Sequence, residues 1–109
     1  MPAATPSSDA LVFYNDQRAA LLSDPSISEK KMFGTTALFV GGKVFMFPWK
    51  HTLVVKIPAA RVDELIASGH AELFDPGHGR TSKTWASVFA SAHDLWPQLA
   101  HEARAFVQG

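Results

Sequence analysis

Three stretches of this sequence gather side chains that could do chemistry. In Phe74-Asp75-Pro76-Gly77-His78-Gly79-Arg80 two glycines flank a histidine and precede an arginine, with Thr81, Ser82 and Lys83 just beyond. Exposed amides beside cations can hold an anion, so Gly77, His78, Gly79 and Arg80 form a candidate anion-binding loop. Their glycine spacing fits neither a phosphate loop nor a dinucleotide fingerprint, and a solvated loop is the competing reading. In Trp49-Lys50-His51 an aromatic stands beside two cationic groups. Such a combination suits an interaction hot spot, against the plainer alternative of a tryptophan covering a sheet end. In Met32-Phe33-Gly34 the glycine would let another backbone approach a strand edge, unless Met32 and Phe33 simply enter the core before a strand break.

Other chemistries find little support. The five histidines are His51, His70, His78, His93 and His101. None has a second helical ligand at metal-binding spacing: His101-Glu102 runs into Ala103-Arg104-Ala105. His70 and His78 are too few for a site even if they meet. No glycine-serine-glycine elbow presents a nucleophile. Asp63-Glu64, Asp75 and Glu102 read as surface charges, with Asp75 near Asp63-Glu64 and Glu102 near the neighbours of Arg104 as the pairings to look for. The expectation is therefore a protein that is not an enzyme, with no metal and no cofactor.

Composition narrows the class further. A chain of 109 residues holds one domain. With 47% apolar and 18% charged residues it is neither disordered by composition nor apolar enough to cross a membrane. There is no cysteine, hence no disulfide and no thiolate. Ten basic residues balance ten acidic ones, so no global field draws the chain to nucleic acid or an anionic membrane. Met1 to Ser8 lacks the basic and apolar regions of a secretory signal. It reads as a disordered tail, with one domain over 9–109 and a cytoplasmic location.

The elements that would position these groups follow from pattern and turn chemistry. A helix is expected from Ser7-Ser8-Asp9, which can cap free amides, to about Leu22, with Leu11, Tyr14, Leu21 and Leu22 on one face. Ser23-Asp24-Pro25 ends it. Strands are expected at Ser28 to Phe33, Ala37 to Val40, Lys43 to Phe47 and Thr52 to Ile57. The Gly41-Gly42 pair supplies the positive φ of a tight hairpin. Pro58 opens a second helix and Gly69 closes it. Strands at His70 to Phe74 and Thr84 to Phe89 precede a last helix from about Asp94, with Leu95, Leu99, Ala103 and Phe106 in one stripe. The order α-β-β-β-β-α-β-β-α, with short connections, predicts a two-layer α+β domain: a mainly antiparallel sheet with its helices on one side.

The run Lys31-Met32-Phe33-Gly34, Leu38-Phe39-Val40-Gly41-Gly42-Lys43-Val44-Phe45 and Leu53-Val54-Val55-Lys56, continued by Leu73-Phe74-Asp75-Pro76-Gly77, resembles the N-terminal domain of the TfoX/Sxy family. That family is named for bacterial regulators of natural competence. The pattern covers roughly Asp9 to Val107 and contains no catalytic motif. Where the family commonly has a second glycine and an aromatic after Met-Phe-Gly, this chain has Thr35-Thr36-Ala37. Full-length competence regulators carry a further helical domain, so the expectation here is a stand-alone version. The resemblance implies action through protein contacts in transcriptional control, with a transcription factor among the candidate partners.

Three functions follow as expectations. The first is a non-enzymatic regulatory or protein-interaction module, contacting an unknown protein through a sheet face, a sheet edge or Trp49 to His51. A homodimer through an uncovered face is its variant, and requires an exposed apolar patch. The second is a small-molecule or anion-binding domain, or a minor enzyme, with a pocket between helices and sheet near His78 and Arg80. The third is weak DNA binding, which net charge disfavours and which needs Lys30, Lys31, Lys43, Lys50 and Lys56 on one face.

Overall fold

A computed structural model of the chain describes residues 8–32, 35–49, 52–75 and 82–109. Helix α1 (Ser8–Leu21) leads into the strands β1 (Ile27–Met32), β2 (Thr35–Val40), β3 (Lys43–Trp49) and β4 (Thr52–Lys56). Helix α2 (Ala59–Ala67) then precedes β5 (Ala71–Leu73) and β6 (Trp85–Phe89). A short 3-10 segment (Ala90–Leu95) and helix α3 (Trp96–Gln108) close the chain. All neighbouring strands are antiparallel and the spatial order is β1-β2-β3-β4-β6-β5. The expected α+β order is thus present, with strand bounds within a few residues of those the pattern predicts.

Local chemistry explains the turns. Val40 pairs with Lys43 across Gly41 and Gly42, whose φ values are 58° and 84°. Two successive positive φ angles define the two-residue hairpin that matches strand twist. Strand β3 runs two residues past Phe47 because Pro48 loses nothing there. The β2–β3 pairing ends at Leu38–Met46, so no β2 partner waits for the amide hydrogen that proline lacks. The last helix starts at Trp96 rather than Asp94. Ala92, with φ −110° and ψ 26°, interrupts helical geometry ahead of it, and Pro97 fits the first turn of the new helix. Phe106, expected in the buried stripe, is 40% exposed. The stripe consists instead of Trp96, Leu99, Ala100 and Ala103.

A β-bulge decides which side chains meet the helices. Leu38 pairs with Met46 but Phe39 pairs with Val44, leaving Phe45 as the extra residue of β3. One unpaired residue resets the alternation of a strand. Phe45 and Met46 therefore both enter the helix-side core, while Val44 and Phe47 point to the opposite face. The helix-side core joins Tyr14 of α1, Val62 and Leu65 of α2, and Trp96, Leu99 and Ala103 of α3 to Leu38, Val40, Leu53, Val55, Ala86 and Val88 of the sheet. Buried Trp96 satisfies its indole by donating from Nε1 to the Val88 carbonyl at 3.3 Å.

No helix described here packs on the other face of the sheet, yet that face has a core of its own. Ala37, Phe47, Val54 and Phe74 are buried there, flanked by Phe39, Val44, Trp49 and Trp85. Phe74 lies just beyond β5, where its amide donates to the Trp85 carbonyl at 3.1 Å. That bond turns its ring inward. Phe74 meets Phe47 and Trp49 edge-on, both at 5.2 Å between centroids, and Trp85 at 5.5 Å in a tilted arrangement.

Ion pairs tie the helices to the sheet and to each other. Tyr14 Oη and Arg18 Nε both donate to Glu29 Oε2, each at 2.8 Å. Burial, above all, pushes the Tyr14 phenol well above its ordinary value; the Thr36 hydroxyl opposes the shift and Glu29 adds to it. Arg61 of α2 grips Glu102 of α3 through Nε to Oε1 at 3.1 Å and through Nη2 to Oε2 at 3.3 Å, a bidentate geometry. Glu102 thus crosses to another helix instead of pairing beside Arg104. Arg104 itself holds Asp24, in the turn between α1 and β1.

Two predictions follow from this packing. Truncating Phe47 to alanine on the helix-free face should cost about 3 to 5 kcal/mol, as much as Phe45→Ala on the helix side. Chemical denaturation of the two variants compares them, and a near-neutral Phe47→Ala would show that the second face is not a core. The Asp24 carboxyl is held below its ordinary value by the Ser26 amide first, then the Ser26 hydroxyl and Arg104. A lowered folded value adds stability above the unfolded value, and that stability disappears as pH falls through the folded one. Thermal melts should therefore show Asp24→Asn less stable than the parent at neutral pH. The gap should close as pH falls through and below the ordinary carboxylate range.

Candidate functional site

Trp49 on one side and Phe74 and Asp75 on the other, the described residues of two chemically suggestive stretches, come together at one end of the helix-free face. Strand register puts their neighbours in two rows across the sheet. One row runs Trp49, Thr52, Phe89 over β3, β4 and β6. The next runs Phe47, Val54, Ser87, Glu72 over β3, β4, β6 and β5. Residues two apart along a strand lie about 7 Å from each other on the same face, so the rows are adjacent. A cavity of about 390 Å³ opens over them, lined by Trp49, Thr52, Glu72, Leu73, Asp75, Ser87 and Phe89.

The walls are aromatic and the polar lining is made of acceptors and hydroxyls. Trp49 is half-buried with its ring edge-on to Phe74, and Phe89 is half-buried on the far side. Thr52 spends its hydroxyl proton on the Trp49 carbonyl at 2.8 Å. Towards the cavity it therefore offers lone pairs alone. Ser87 is only 3% exposed, and its hydroxyl makes no hydrogen bond among the described residues. No fully buried side-chain nitrogen or oxygen among those residues lacks a partner, so the Ser87 hydroxyl must open onto the cavity. Glu72 and Asp75, both exposed, add two carboxylates at the β5 end.

The remaining candidates are placed as follows. Met32 ends β1 opposite Thr35, whereas Phe33, Gly34, Lys50, His51, Gly77, His78, Gly79 and Arg80 lie outside the described residues. Asp75 shares the cavity with Glu72, not with Asp63 and Glu64 of α2. Glu64 pairs with Arg61 at 3.3 Å. His70, His93 and His101 stand on separate elements, and among the described residues no three histidines or acids could hold a metal ion together. Register puts Lys30 and Lys56 on the helix-free face and Lys31 and Lys43 on the other, which splits the lysine set. No helix among the described residues is long and apolar enough to cross a membrane.

On the helix-free face the partly exposed apolar side chains among the described residues are Phe39, Val44, Trp49, Trp85 and Phe89, each only half-buried. The large apolar side chains in the open are Val12, Ile66 and Phe106, one on each helix. Sequence reasoning did not find Glu72, Ser87 and Phe89 as site residues. Their only signal was the alternation of β6, which places Ser87 and Phe89 together, and Glu72 needed the β5–β6 register to join them. A second concavity of about 620 Å³, between α1 and the start of α3, is lined by Val12, Phe13, Asp16, His93, Asp94, Trp96 and Pro97. There His93 donates from Nδ1 to the Ala90 carbonyl at 2.9 Å and lies 3.3 Å from Asp94 through Nε2.

No curated protein matches the chain in sequence. A family model does: the one described as the TfoX N-terminal domain matches residues 19–108, which takes in the last residues of α1, the whole sheet, the cavity and α3. With nearly its full length covered by that match, this chain belongs to the TfoX N-terminal domain family.

Proposed function

We propose that the chain is a non-enzymatic, cytoplasmic regulatory module that binds a protein partner at the cavity end of its helix-free sheet face. The cavity itself carries this reading: a concave site with two aromatic walls and converging polar groups, whose lining holds no histidine and no cysteine. Tryptophan at such a rim favours a hot spot, because a large rigid ring buries much area at little entropic cost. The family has no known reaction, and its link to competence regulators supports a role in transcriptional control. Scattered exposed apolar residues favour a focused contact over a broad apolar interface.

The described lining does not suit an anion, since both of its ionisable groups are carboxylates. The split lysines likewise weaken the case for DNA, which needs cations on one face.

Site-specific photo-cross-linking in cells tests the proposal. A cross-linking residue at position 72 should yield a protein adduct that the same residue at position 66, on exposed Ile66 of α2, does not. Nuclease treatment should leave that adduct unchanged. Nucleic-acid adducts alone, or equal labelling at both positions, would overturn the interaction reading.

A further inference from the structure

Strand β1 ends the sheet with β2 as its one described neighbour, and the backbone pattern shows which groups stand on its outer edge. Gly41 donates to the Ser26 carbonyl at 3.0 Å, so Ser26 turns its backbone toward β2. Alternation turns Ser28 and Lys30 the same way. Ile27, Glu29 and Lys31 therefore direct their amides and carbonyls outward. The Ile27 amide returns to the Asp24 carbonyl at 3.0 Å, whereas the amides of Glu29 and Lys31 have no acceptor among the described residues. We infer that this edge pairs antiparallel with the same strand of a second copy of the chain, Glu29 of one copy opposite Lys31 of the other, so that two six-stranded sheets join into one.

Charge selects both the partner and the register. A twofold axis through Lys30 sets Glu29 opposite Lys31 twice, and each such pair exchanges two backbone hydrogen bonds, four in all. Moving the axis to Glu29 would set two glutamates face to face, and directly opposed like charges destabilise a sheet. Ile27 belongs to the helix-side core, so Glu29 and Lys31 share that side. Tyr14 and Arg18 fix the Glu29 carboxylate there, both donating to Oε2 at 2.8 Å. Lys31 is exposed and makes no ion pair among the described residues. The two Lys30 side chains meet the axis on the opposite side, but each ammonium is drawn back over the Phe39 ring of β2, 5.3 Å from its centroid. Edge strands that must stay single are commonly short, bulged or interrupted by proline. Strand β1 pairs with β2 over six residues without a register shift and contains no proline. The cavity lies over β3 to β6, away from this edge, so each copy keeps its own.

Cross-linking and sedimentation test the pairing. The chain has no cysteine, so Lys30→Cys introduces a lone thiol on the axis. The α-carbons of such a non-hydrogen-bonded pair stand about 4.5 Å apart, within disulfide reach. Mild oxidation should link most of this variant into a covalent dimer. Lys43→Cys, exposed beside the Gly41-Gly42 turn, should stay monomeric under the same treatment. Sedimentation velocity of the parent chain should show a concentration-dependent dimer. Lys31→Glu should weaken that dimer about tenfold, because both cross-strand pairs turn from attraction to repulsion. Lys31 is exposed, so this variant should melt at the parent's temperature, which separates lost association from lost folding. A parent chain that stays monomeric at every concentration, equal cross-linking at positions 30 and 43, or a dimer indifferent to Lys31→Glu each overturns the inference.

Discussion

The structure depends on one constraint: a six-stranded sheet with apolar side chains on both faces, and helices described on only one of them. Water would have to solvate Phe47 and Val54 unless something replaced the missing layer. Phe74 is the described side chain that does so. Its backbone leaves β5, bonds to the Trp85 carbonyl and lays an aromatic ring over the sheet. Edge-to-face contacts with Phe47 and Trp49 then use ring electrostatics as well as area. The cavity lies where this small core stops, which is why aromatic and polar side chains share its lining.

The helix side solves the opposite problem, an excess of packing groups. The bulge at Phe45 turns two consecutive side chains toward the helices, and α3 accommodates them with Leu99, Ala100 and Ala103, small residues alternating with large. Around that core, Arg61 with Glu102, Arg104 with Asp24, and Glu29 with Tyr14 and Arg18 fix the helices relative to one another and to β1. These contacts are partly solvated, so their role is to set register among elements that apolar packing alone holds loosely. Thr36, part of the departure from the family's usual sequence, contributes a hydroxyl to the Tyr14 end of this arrangement.

Much of the fold was legible because its signals are local. Gly41-Gly42 needs positive φ, Pro58 and Gly69 bracket α2, and β-branched residues crowd β4, so each element declares itself within a few residues. The 3-10 segment before α3 was not legible, since Ala90 to Leu95 carries a helical pattern that only the kink at Ala92 reveals. Nor was the bulge, which shows as nothing more than two adjacent apolar residues. Only part of the candidate site was visible: of its lining, Trp49 and Asp75 fell within stretches that stood out by composition. Their meeting did not, because it depends on β4 lying beside β6 rather than β5, a pairing across more than thirty residues that no window of sequence contains.

That strand order also sets when the site can exist. Strand β5 pairs with β6 alone, and β6 follows it in the chain. During synthesis the four-strand meander can assemble from neighbouring hairpins, but Glu72 has nowhere to dock until Trp85 to Phe89 has emerged and settled against β4. The two rows that floor the cavity close in the same event. The cavity is thereby withheld from every incomplete chain: a copy that stops short of Phe89 has neither its floor nor its far wall.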